Sequence, residues 1–296
     1  MVNGQRQGSG QGVQRDVGPH AGSQKDPHVL YMFEALDSMQ QAAQGHYSFE
    51  ALMQQLKSTS FGSFMGDGNA TTNWRPGQAA AKKGWKAKHP VVIVPGFVTS
   101  GLELWAGQKC AQSYFRSRMW GTMGMMQAYI FDKECWFRHM SLDPTTGLDP
   151  EGIKVRASQG LESIDYFMQG YWVWSKILES LGDIGYDSNS LVALAFDWRM
   201  AVPLMEVRDG YFSRLRSTVE WLHLHHGEKV VLMSHSYGEN IARAFYTWAE
   251  TNEPGWVEEH LEATVNIAGT ALGIPKAVTA VLSDCREYES KMCHLS

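Results

Sequence analysis

The sequence predicts an α/β fold: a parallel sheet with helices on both faces. Three observations carry that prediction. Short, nearly unbroken apolar runs recur at Val91-Val92-Ile93-Val94, Leu191-Val192-Ala193-Leu194-Ala195-Phe196 and Val230-Val231-Leu232-Met233, as expected of strands buried on both faces. Longer stretches of helical periodicity separate them, which is the alternation of a parallel sheet. At 296 residues and 44% hydrophobic content, the chain can bury one sizeable core.

Taken in order, residues 1–27 are rich in Gly, Gln and Ser and are expected to be disordered. Leu30, Phe33, Leu36 and Met39 recur at near-helical spacing, predicting short helices within 28–85. Pro76, Gly77 and Gly84 mark 73–88 as a linker. The main domain spans 86–283. It is expected to hold a strand at 91–94, a lid or cap at about 106–175, a helix near 171–182 and a strand at 191–196. A helix at 208–226, strand at 229–233, helix at 239–251 and strand at 263–267 follow. That last strand would leave an apolar edge unpaired, so the sheet is expected to be incomplete on its C-terminal side. Residues 284–296 form an anomalous tail.

Composition narrows the partners. A net charge of −5 gives no basic footprint for nucleic acid. No apolar run approaches the roughly eighteen residues that span a bilayer, and no charged-then-apolar leader opens the sequence. The near-repeat Leu142-Asp143-Pro144 and Leu148-Asp149-Pro150 reads as turns rather than a calcium loop. His223, His225 and His226 close a helix before Gly227, where the dipole favours them. No metal and no cofactor are expected.

The chemistry is concentrated in Ser234-His235-Ser236-Tyr237-Gly238, between an apolar strand and a helix. This is the pattern of a nucleophile elbow, in which a tight strand-to-helix turn lifts one hydroxyl above the sheet and aims a helix N-terminus at it. Ser236 is the candidate nucleophile, and Ser234 stands where the commoner pattern has glycine. His89-Pro90-Val91-Val92-Ile93-Val94-Pro95-Gly96-Phe97 supplies the strand exit at which an α/β-hydrolase places the other half of its oxyanion hole. The backbone N–H groups of Phe97 and Tyr237 are the candidate donors. His235 is adjacent to Ser236, but neighbouring strand side chains point to opposite faces, which makes it a poor base.

Around these elements lie Gly101-Leu102-Glu103-Leu104-Trp105, Cys135-Trp136, Gly147-Leu148-Asp149-Pro150, Gly152-Ile153-Lys154-Val155-Arg156-Ala157 and Asp197-Trp198-Arg199. In this order, from about Gly84 to Lys276, the chain resembles the phospholipid:diacylglycerol acyltransferases, relatives of the lecithin:cholesterol acyltransferases. The resemblance implies an α/β-hydrolase fold with a lid insertion, and a serine that takes an acyl group from a phospholipid and passes it to diacylglycerol. It also implies association with the endoplasmic reticulum membrane and a lid disulfide between Cys110 and Cys135; two unpaired thiols are the alternative. The family usually has methionine where Tyr237 stands.

Between those cysteines, Tyr114, Phe115, Met119, Trp120, Met123, Met125, Met126 and Tyr129 form a dense apolar set. They are expected to make a lid that meets lipid, with Trp120 as a contact. In the family an Asp and then a His follow the serine at long range, whereas here only Asp284 and His294 stand in that order. The chain is therefore expected to be truncated. Two functional classes stay open: a lipid acyltransferase, with phospholipase A as its variant when water replaces the alcohol, and a catalytically dead remnant or lipid-binding pseudoenzyme.

Overall fold

The computed structural model describes residues 75–168 and 171–275. The helices expected before residue 57, Asp284, His294 and the tail lie outside the described residues.

The central sheet contains β1 (Val91–Val94), β7 (Leu191–Ala193), β8 (Val230–His235) and β9 (Leu261–Ile267) in the order β7-β1-β8-β9. Every pairing in it is parallel. Alternation along β1 sends Val92 and Val94 to one face and Val91 and Ile93 to the other, and both faces are covered. On the first face Val92, Val94 and Leu232 pack with Leu215, Val219 and Leu222 of α6 (Tyr211–His226) and with Ile241 and Phe245 of α7 (Gly238–Asn252). On the second, Val91 and Ile93 meet Trp174 together with Ile177, Leu178 and Leu181 of α4 (Ser175–Asp183). Double-sided burial is why β1 reads as an unbroken apolar run.

Boundaries depart from the sequence reading for identifiable reasons. Within the expected linker, α1 (Pro76–Lys82) begins on a proline and packs against α4, where a Cβ on Gly77 would come within 2.1 Å of the Ser180 carbonyl oxygen. The helix expected at 208–226 is two helices, α5 (Val202–Asp209) and α6, broken at Gly210 with φ 58°. The run at 171–182 opens as strand β6 (Tyr171–Trp172), paired antiparallel with β5 (Tyr166–Met168), before α4 starts. β7 pairs only through Ala193, although Leu194 N–H still reaches the Ile93 carbonyl at 3.0 Å. His223, His225 and His226 end α6 as expected, with Gly227 at φ 68° beyond them.

The segment leaving β1 builds a second, antiparallel sheet, β3-β2-β4, from β2 (Leu102–Ala106), β3 (Arg118–Trp120) and β4 (Lys154–Ala157). Helices α2 (Met123–Phe131) and α3 (Lys133–Met140) pack on it, with Thr122 and Asp132 capping their N-termini. A small final helix, α8 (Trp256–His260), precedes β9.

Asp143 sits in the expected turn, accepting hydrogen bonds from the N–H groups of Thr145 and Thr146. Asp149 does more than make a turn. Its carboxylate pairs with Arg156, Arg199 and Arg208, and the latter two also grip Asp197 at 2.6 and 2.7 Å. Burial alone pushes the Asp197 carboxyl upward, yet hydrogen bonding and charge from Arg199, with the charge of Arg208, outweigh it and hold the pKa below the ordinary carboxylate value. Arg199 further donates to the carbonyls of His139 and Met140 at the end of α3, each at 3.4 Å.

Candidate active site

Ser236 lies where β8 ends and α7 begins, with φ 53°. A side chain in this left-handed region costs about 1 kcal/mol or more, so the surroundings must impose it. They do so through the backbone. Ser236 N–H donates to the Ile267 carbonyl at 3.0 Å, while its own carbonyl accepts from Glu239 N–H at 3.1 Å and Thr270 N–H at 3.2 Å. The turn is thereby tied both to α7 and to the exit of β9.

Close approach explains the two flanking glycines. A Cβ on Gly238 would fall 2.4 Å from the carbonyl oxygens of Val94 and Pro95, so only glycine lets α7 start this near β1. A Cβ on Gly96 would lie 3.0 Å from the Ser236 Cβ and 3.2 Å from His235 Nδ1. Phe97 and Ser236 therefore share one end of the sheet, beyond the C-terminal ends of β1 and β8. Among the described residues, the N–H groups of Phe97 and Tyr237 enter no backbone hydrogen bond outside the regular elements. The start of α7 adds the positive end of its dipole at the same point.

Ser234, the departure from glycine, is buried and donates its hydroxyl to Glu239 at 2.6 Å. Glu239 in turn accepts from Arg243 Nε at 2.9 Å. This bracing of the elbow from beneath was not read from the sequence, although the five-residue spacing of Ser234 and Glu239 was there to be noticed. The His235 ring stands edge-on to Trp174 at 5.9 Å, and burial lowers its pKa.

Cys110 and Cys135 form a disulfide, with Cα atoms 6.3 Å apart. Beside it is buried His139, which takes the Gln108 N–H on Nε2 at 3.0 Å and contacts the Cys135 carbonyl through Nδ1 at 2.7 Å. These three residues are the one group of metal-ligand type among the described residues. Their sulfurs are bonded to each other and both imidazole nitrogens are engaged. Trp120 is half-buried, its ring 4.8 Å from Trp198 and 5.2 Å from Phe167, and its Nε1–H donates to the Phe97 carbonyl at 3.2 Å. Trp105, Phe115, Phe131, Tyr166 and Trp172 are exposed aromatics of this region, with Arg116 stacked over Trp105.

Ser236, at φ 53° between a strand and a helix, lies within the span that a known family model matches. The lecithin:cholesterol acyltransferase family model matches residues 114–288, more than half of the chain. The chain belongs to that family. Family membership is accompanied by similarity to phospholipid:diacylglycerol acyltransferases of Schizosaccharomyces pombe, 46% identical over 206 residues, and Saccharomyces cerevisiae, 46% identical over 209. These matches cover 68% and 67% of this chain, but 33% and 32% of the relatives. A phospholipid–sterol O-acyltransferase of Arabidopsis thaliana is 29% identical over 204 residues, covering 65% of this chain and 32% of that protein. The chain thus spans about a third of the length of the curated relatives it matches.

Proposed function

We propose that the chain carries the nucleophile-bearing part of a phospholipid:diacylglycerol acyltransferase of α/β-hydrolase fold with a lid. The observation that carries this reading is Ser236 held at φ 53° between β8 and α7, within van der Waals reach of the Gly96-Phe97 turn. Ser236 Oγ would attack the ester carbonyl of a phospholipid. The negative charge developing on that oxygen would be received by the N–H groups of Phe97 and Tyr237, which are unengaged by the turn and preorganised. Collapse releases a lysophospholipid and leaves an acyl-serine, which the hydroxyl of diacylglycerol attacks to give triacylglycerol. Among the described residues Ser236 Oγ has no hydrogen-bonded base, and the His235 ring lies edge-on to Trp174.

Lipid chemistry also fits the surface. Trp105 and Phe115 project from the lid beside Arg116, an arrangement suited to the headgroup level of a membrane. Association with the endoplasmic reticulum membrane belongs to the same proposal. Among the described residues no helix is long and apolar enough to cross a membrane.

Fluorophosphonate labelling tests the reading, because it requires a serine activated by a base. Labelling of the wild type but not of Ser236→Ala, with transfer of a labelled acyl group from phosphatidylcholine to diacylglycerol, supports it. Release of free fatty acid alone assigns the chain to phospholipase A chemistry. Absence of labelling assigns it to the lipid-binding, catalytically silent class.

A further inference from the structure

Two indole hydrogen bonds connect the lid disulfide to the turn that carries Phe97. Cys135, bonded to Cys110, is followed by Trp136, whose Nε1–H donates to the Met119 carbonyl at 2.9 Å. Trp120, next along β3, donates its own Nε1–H to the Phe97 carbonyl at 3.2 Å. The other side of Phe97 is fixed by the turn. The Gly96 carbonyl accepts from Ser100 N–H at 2.9 Å and from the Thr99 hydroxyl at 3.4 Å. That peptide is trans, so a Gly96 carbonyl drawn into the turn points the Phe97 N–H the opposite way. Both carbonyls flanking the Phe97 donor are therefore held, one by the turn itself and one by the lid.

Trp120 is wedged rather than displayed. Its ring contacts Trp198, Phe167 and, at 6.3 Å, Phe97, whereas Trp105 on the same sheet is 41% exposed. We propose that Trp120 is a positioning residue: its indole N–H fixes the Phe97 carbonyl, so the aim of the oxyanion turn depends on the lid being clasped by its disulfide. The purpose assigned to the turn rests on the acyl-transfer reading. The coupling between lid and turn does not.

Hydrogen exchange on the full oxidised chain reads that coupling without requiring activity. The reporter is the Ser100 amide, bonded to Gly96, and the control is the Leu232 amide in β8. Trp120→Phe keeps a ring but loses the donor, and is expected to speed Ser100 exchange about fivefold with Leu232 unchanged. Trp120→His, which retains an N–H, restores exchange to within about twofold of wild type, and dithiol reduction of Cys110–Cys135 reproduces the Phe variant. Unchanged Ser100 exchange in Trp120→Phe overturns the inference, as does equal acceleration at Ser100 and Leu232, which marks general loosening. Fluorophosphonate labelling run alongside separates the two claims. Slower labelling of Ser236 in Trp120→Phe supports the positioning role, and rescue by Trp120→His separates it from a packing effect. If the wild type takes no probe, the acyl-transfer reading fails while the exchange result still decides the coupling.

Discussion

In the parallel sheet, Val91 to Val94 are held by burial on two faces and by backbone pairing to β7 and β8. The antiparallel sheet with α2 and α3 is held differently: the Cys110–Cys135 bond, the Trp136 and Trp120 indole contacts and the Arg199 bonds to the end of α3 join residues far apart in sequence. Non-directional burial tolerates substitution that keeps volume and polarity. Point-to-point links fail singly. The parallel sheet should therefore lose stability in proportion to volume, and the antiparallel region in discrete steps.

The largest step is expected where the two regions join. Asp197→Ala leaves Arg199 and Arg208 short of a buried partner and should cost about 4 kcal/mol in urea unfolding; a loss near that of an ordinary surface change would break the contrast. The same carboxyl makes stability pH-dependent. Its folded pKa is depressed, so its contribution is complete above the unfolded value of about 3.9 and is lost as pH falls through the folded value. Asp197→Asn should flatten that acid limb of the stability curve.

Gly238→Ala comes next, at about 3 kcal/mol, because the new methyl group meets backbone oxygens that cannot move aside. A smaller loss would mean that α7 can shift away from β1. Replacing Cys110 and Cys135 together by Ser should remove about 3 kcal/mol in the loop-entropy model, read as earlier proteolysis within 106–168 while β8 stays protected. Simultaneous loss of both regions would show that they unfold as one unit. The smallest effect has the opposite sign. Ser236→Gly relieves the left-handed backbone and should stabilise the chain by about 1 kcal/mol while abolishing any labelling; destabilisation would show that the serine side chain supports the turn.

Much of the parallel sheet was legible because its signals are local. A run such as Val230 to Met233 must be buried on both faces, and Ser236 and Gly238 stand at the spacing that a tight strand-to-helix turn imposes. The breaks were harder to place. Gly210 could be a tolerated helical glycine or a stop, and Pro76 to Lys82 reads as a linker until α4 offers a surface on which it can pack.

By itself the sequence determined the α/β class, the positions of the main strands along the chain, the family and the serine at the elbow, since each is written in local runs and motifs. Tertiary structure alone decided that Asp149 joins Arg156, Arg199 and Arg208, that Ser234 is braced by Glu239, and that Trp120 turns inward to Phe97. A charge or an indole N–H is satisfied by whichever partner the folded backbone brings within about 3 Å. Sequence spacing does not encode which one that is.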